Sequence, residues 1–161
     1  MIILRPAVDA DIPSLVRLNA AVVDVTSPMD DARCKQLMGH ATWCLVAERS
    51  GEVLGFVLAM RDGAAYENGN FAWFSARMHH FVYIDRVVIG EGARGQGLGG
   101  KLYDAVGAAA RATGCVTMTA EMNIDPPNDV SLNFHKTRGF VAIGTRRLDK
   151  GFTVSMQVCD L

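Results

Sequence analysis

The stretch from Val87 to Lys101 constrains this chain more than any other. An apolar run, Val87-Val88-Ile89, gives way to Gly90-Glu91-Gly92-Ala93-Arg94-Gly95-Gln96-Gly97-Leu98-Gly99-Gly100-Lys101, a loop dense in glycine that opens a helix. Glycine takes positive φ angles and lets the backbone come close to a ligand. Successive unpaired amides at a helix start, with the macrodipole behind them, make a site for a diphosphate. Arg94 and Lys101 add positive charge at its edge. The expectation is a loop that grips the pyrophosphate of a nucleotide-containing cofactor.

Spacing separates the candidates. A P-loop requires G-x-x-x-x-G-K-[ST], and here Leu102 follows Lys101, so no magnesium-binding hydroxyl is in place. Gly95-Gln96-Gly97-Leu98-Gly99-Gly100 matches G-x-G-x-x-G literally. A dinucleotide site also needs an acid about 20 positions on, and Gly114 to Thr119 offers none.

Arg94-Gly95-Gln96-Gly97-Leu98-Gly99 fits [RQ]-x-x-G-x-[GA]. With the strand Tyr83 to Ile89 before it, this resembles motif A of the GNAT (GCN5-related N-acetyltransferase) superfamily. A second stretch agrees. Glu121-Met122-Asn123, then Asn128-Asp129-Val130-Ser131-Leu132-Asn133-Phe134-His135-Lys136-Thr137-Arg138-Gly139-Phe140, resembles the family's N-x-x-[AS]-x-x-[FY]-[YH]-x-x-x-G-F signature. The likeness runs from Ile2 to about Met156.

The resemblance implies an α/β, GNAT-type fold: a mixed, mostly antiparallel six- to seven-stranded sheet flanked by about four helices. It implies acetyl transfer from acetyl-CoA to a primary amine in a ternary complex, with no metal. By the same resemblance Arg94, Gly95, Gln96, Gly97, Leu98 and Gly99 hold the cofactor, and the strand Val87-Val88-Ile89 splays so that its amides meet the pantetheine arm and the thioester carbonyl. Asn128, Ser131 and Phe134 line the arm, Asn128 also being a natural helix cap. Such chemistry needs a fixed donor at the carbonyl oxygen, a base for the amine and an acid for the thiolate. Glu121 is the first choice of base and Asp85 the second, although Asp85 or Arg86 also reads as half of a structural salt bridge to a neighbouring element. In the place of the family's acidic tyrosine stands His135, which either protonates the thiolate or only packs and hydrogen-bonds. The competing class is a non-catalytic acyl-CoA-binding module.

Composition sets bounds on partners and place. The 161 residues are half apolar and carry a net charge of −1, which fits one soluble domain over residues 1–161 and excludes a broad basic surface for nucleic acid. Cys34, Cys44, Cys115 and Cys159 include no C-x-x-C, against zinc and in keeping with reduced thiols in a cytoplasm. No apolar run approaches a membrane span. The expected partner is a small-molecule or peptide amine, with a homodimer as a further expectation of the resemblance.

Local patterns complete the reading. Ile2 to Arg5 reads as a strand. Asp9 is expected to cap a helix whose apolar face runs from Ile12 to Val23, and Asp30 to Met38 gives a second helix. Trp43–Glu48 and Val53–Met60 form a hairpin about Ser50-Gly51. Arg61 to His80, rich in aromatics, reads either as a long hairpin extension packed on the core or a partner, or as a lid. The chain after Gly97 reads as a helix to Ala112, a strand Val116–Glu121, a helix capped by Asn128 and two closing strands.

Overall fold

The computed structural model describes residues 1–161. A seven-stranded sheet forms the frame, comprising β1 (Ile3–Pro6), β2 (Trp43–Arg49), β3 (Glu52–Arg61), β4 (Phe81–Ile89), β5 (Thr117–Asp125), β6 (Val141–Arg147) and β7 (Thr153–Asp160). Their order across the sheet is β1-β2-β3-β4-β5-β7-β6. Every neighbouring pair is antiparallel except β4 and β5, which are parallel.

Five α-helices cover the two faces: α1 (Ile12–Ala20), α2 (Asp31–His40), α3 (Gly69–Ser75), α4 (Leu98–Ala112) and α5 (Asp129–Thr137). The core divides accordingly. Leu15, Leu37, Phe71 and Phe74 of the first three helices pack with Phe56, Leu58, Phe81 and Tyr83. Leu102, Tyr103, Val106 and Ala110 of α4 pack with Val57, Ala59, Val82 and Ile84. Successive strand residues alternate between the two faces, as the pleat requires. No helix is long and apolar enough to cross a membrane.

Several local expectations are corrected. Asp9 caps nothing and is exposed; Asp11 accepts the Val8 N–H at 2.8 Å and pairs with Arg5 at 2.8 Å instead. The first helix stops at Ala20, so Val22 and Val23 lie in turns beyond it. The 61–80 segment contains the extra helix, α3, started by the Asn68 side chain accepting from Asn70 and Phe71 N–H. Its Phe71 and Phe74, with Tyr66, are buried in the core, in keeping with the packing alternative for this segment. On α4, Leu98, Leu102, Tyr103, Val106 and Ala110 are buried, while Ala105 and Ala109 are half-buried. The strand holding Glu121 continues to Asp125, so Glu121 stands in mid-strand and not at an end.

Two features of the sheet place the site. The first is a bulge: Leu58 opposes Arg86 while Ala59 opposes Ile84, which leaves Asp85 as an extra residue of β4. An extra residue shifts the alternation by one. Phe81 and Tyr83 face the α1–α3 side before it, and Val88 does so after it, while Val87 and Ile89 turn to the α4 side. The second is a splay. The parallel pairing of β4 and β5 spans only Phe81–Tyr83 with Thr117–Thr119, and beyond it the strands part.

Candidate active site

The bulge brings two consecutive charged side chains to the same face. Arg86 Nε donates to Asp85 Oδ2 at 2.9 Å, and both side chains are about 5% exposed or less. Tyr66 O–H donates to the other oxygen, Oδ1, at 2.5 Å. Arg86 Nη1 donates to Asn19 Oδ1 at 3.0 Å and to the Ser27 carbonyl at 3.1 Å, and Nη2 to Ser27 Oγ at 3.1 Å. This cation therefore pins the α1–α2 loop to β4, and both Asp85 oxygens are engaged. The sequence expectation of a salt bridge to a neighbouring element is corrected: the two charges pair with each other, and the neighbouring elements supply only neutral partners.

Across the splay stands Glu121. Tyr83 O–H donates to its Oε1 at 2.8 Å, and Asn70 Nδ2 donates to the same oxygen at 2.9 Å. Oε2 is buried and has no partner in the protein. Burial pushes the carboxyl up to about 7, with the Asp85 charge adding to the rise and the bonds from Tyr83 and Asn70 opposing it. A carboxyl poised near neutrality, one oxygen held and the other bare, has the properties of a proton acceptor.

On the α4 side the glycine loop presents donors. Gly95 and Gly97 take φ of 78° and 73°, which only glycine adopts without strain. The Lys101 amide is the first to find an acceptor at the start of α4, on Gly97. None of the amides from Gly95 through Gly100 has an acceptor within the protein. Arg94 is exposed beside them. The amide of Gly90 points to β3, donating to Leu54 O at 2.8 Å. By strand alternation the Ile89 and Val87 amides then point the other way, into the splay.

A single cleft of about 1040 Å³ joins these parts through the gap between β4 and β5. Of the residues singled out from the sequence, Asp85, Val87, Val88, Ile89, Arg94, Gly95, Gly97, Leu98, Gly99, Glu121, Asn128, Ser131, Phe134 and His135 all line it. Gln96 does not; its side chain accepts from Arg49 at 2.7 Å. Asn128 caps α5 by accepting the Ser131 N–H at 3.2 Å. None of the four cysteines lines the cleft, and no cluster of metal-binding side chains exists.

Of the two readings of His135, acid or packing, its hydrogen bonds match the second. Its Nδ1 lies 2.7 Å from the Ser131 carbonyl, which only accepts, so Nδ1 carries the proton. Nε2 lies 2.8 Å from the Tyr103 hydroxyl. Burial lowers the imidazole pKa and the Arg138 charge lowers it further, against the bond to Ser131. A neutral ring with Nε2 accepting from Tyr103 has no proton directed at the cleft. Tyr103, Tyr83 and Asn70 escaped the sequence reading because apolar runs and a loop hid their polar ends; only three-dimensional proximity reveals them.

A family model described as Acetyltransferase (GNAT) family matches residues 14–140. The chain belongs to this family of N-acetyltransferases. It is 31% identical, over 156 residues covering 88% of this chain and 81% of that protein, to an L-methionine sulfoximine/L-methionine sulfone acetyltransferase of Pseudomonas paraeruginosa (strain DSM 24068 / PA7). The crystal structure of Ard1 from Thermoplasma volcanium shares the fold with a TM-score of 0.81 at 20% identity, covering 99% of this chain and 97% of that one. A similar fold, with a TM-score of 0.71 at 21% identity, occurs in yncA, a putative acetyltransferase from Salmonella typhimurium solved with its cofactor acetyl-CoA; 100% of this chain and 94% of that one are covered.

Proposed function

We propose that this chain transfers an acetyl group from acetyl-CoA directly to a primary amine, with both bound at once in the cleft. The observation that carries the reading is the splay itself. It has a bare carboxylate oxygen of Glu121 on one side, six consecutive unpaired amides on the other, and one continuous space between.

The residues fit the cofactor. Amides from Gly95 to Gly100, at the positive end of α4, match a diphosphate, and Arg94 adds charge. The Val87 amide suits the pantetheine arm, which also passes Asn128, Ser131 and Phe134. Acetyl-CoA supplies the activated acyl group as a thioester. The Ile89 N–H is the donor for its carbonyl oxygen, fixed in place before reaction and needing no reorganisation.

Glu121 Oε2 is the acceptor that takes a proton from the bound ammonium and leaves the neutral amine as the nucleophile. Asp85 serves through its charge, since both its oxygens are engaged. His135 holds α5 against α4 through Tyr103 and stays neutral.

Incubation with acetyl-CoA and a panel of amines, following free thiol, tests the reading. The panel includes L-methionine sulfone, because a relative's name mentions it. Thiol release confined to certain amines, with intersecting initial-rate lines, is expected. Saturable binding of acetyl-CoA without turnover on any amine would overturn it in favour of a non-catalytic module.

A further inference from the structure

The amine end of the cleft carries positive charge that no carboxylate pairs with, although Asp149 lines the cleft beside it. Arg146 and Arg147 at the end of β6 and Lys150 in the turn that follows all line the cleft, and none of the three forms a salt bridge. Arg86 is cationic there too, but its nitrogens are engaged by Asp85, Asn19 and Ser27. Arg147 and Lys150 are exposed.

Arg146 is the one that is held. It is half-buried, its Nη1 donates to Asn70 Oδ1, and its guanidinium lies over Gly69, where a Cβ would come within 2.7 Å of Nη2. Asn70 in turn donates to Glu121 Oε1 at 2.9 Å. Arg146, a guanidinium without a counterion, and Glu121, whose buried Oε2 has no donor, therefore line one cleft, linked through a single amide side chain. The path from Arg146 through Asn70 to Oε1 is roughly 8 Å at most, and Oε2 lies about 2 Å beyond Oε1, so guanidinium and bare oxygen are within roughly 10 Å.

We propose that the acceptor is a free α-amino acid, bound with its ammonium against Glu121 Oε2 and its α-carboxylate against the Arg146 guanidinium. This rests on the acyl-transfer reading above and adds the substrate class. The nitrogen and carboxylate oxygens of an α-amino acid are about 3 Å apart, so one hydrogen bond at each end spans the same gap. Planar guanidinium donors match a carboxylate in two parallel bonds. A peptide N-terminus offers a neutral amide at that position and gives up the charged contact. A polyamine brings a second cation toward Arg146, Arg147 and Lys150, where like charges repel.

The test measures kcat/KM for the L-amino acids and L-methionine sulfone, each beside its carboxamide and its decarboxylated amine. The same pairs are then run with Arg146→Gln and Arg146→Lys, after circular dichroism and coenzyme A binding show each variant folded. An acid is expected to exceed its carboxamide by about tenfold or more, mostly through KM, as a charge-assisted contact implies. Arg146→Gln is expected to bring that ratio toward one, and Arg146→Lys to keep part of it. Carboxamides or simple amines acetylated as well as acids, or a ratio untouched in Arg146→Gln, overturn the proposal while leaving acyl transfer standing. Thiol release with no amine at all removes both.

Discussion

The Tyr83 hydroxyl donates to Glu121 Oε1 over 2.8 Å, just beyond the point where β4 and β5 last pair. One tyrosine thus fixes the carboxylate and leaves its second oxygen free for chemistry. The bond favours the ionised form, so it holds the carboxyl lower than burial alone would.

The pH dependence of turnover follows. With Glu121 as the proposed base, acting ionised, kcat/KM is expected to rise with pH through about 7. Tyr83→Phe removes a donor to the ionised form and is expected to move that limb upward by about one unit. Glu121→Gln is expected to lower kcat by about 10²- to 10⁴-fold and abolish the limb. Rate–pH profiles of the three proteins check this; a limb unchanged in Glu121→Gln assigns the base elsewhere.

Stability has a matching signature. A carboxyl raised from 4.5 to about 7 binds its proton more tightly folded than unfolded. Its contribution is complete below pH 4.5 and is lost as pH rises toward 7, a cost of about 3 kcal/mol at most. Denaturant titrations across this window are expected to show the loss in the native protein and not in Glu121→Gln.

Gly97→Glu tests the diphosphate loop. Gly97 has φ of 73° with open space around its Cβ direction, so the variant meets backbone strain and no steric clash. The strain costs on the order of 1–2 kcal/mol, and the new carboxylate opposes an anion at the start of α4. Calorimetry is expected to show at least a hundredfold loss of coenzyme A affinity in a folded protein. Native affinity in this variant would place the cofactor elsewhere.

Gly55→Ala tests the placing of β4. A Cβ at Gly55 would lie 2.8 Å from the Val88 carbonyl oxygen and 2.8 Å from Ile89 Cδ1. The backbone atom cannot swing aside, so the strand end carrying the Val87 and Ile89 amides must shift. The expected result is a loss of about 1–3 kcal/mol in stability, with kcat falling more than coenzyme A affinity.

His135→Gln separates packing from acid catalysis. The folded imidazole pKa lies below its ordinary 6.5, so native stability is full above 6.5 and falls as pH drops below it. The variant is expected to lack that acid-side loss and to raise KM for acetyl-CoA through Phe134 more than it lowers kcat. A hundredfold fall in kcat with unchanged KM would restore the acid role.

The glycine loop, the α4 start, the apolar β4 and the Asn128 cap were legible in the chain because each depends on residues within a turn or two of one another. Backbone φ preference, unpaired amides and helix periodicity are local properties, and they sufficed for the family and for the loop of unpaired amides that lines the cleft. The α3 helix was not legible, since a seven-residue segment is marginal alone and is held by burying Phe71 and Phe74 in a core assembled from distant strands. The Asp85 bulge, which turns two successive charges to one face, exists only in register with β3. The same is true of Glu121: its near-neutral carboxyl depends on burial beside Tyr83 and Asn70, far apart in sequence, and dielectric surroundings are fixed only when the sheet closes.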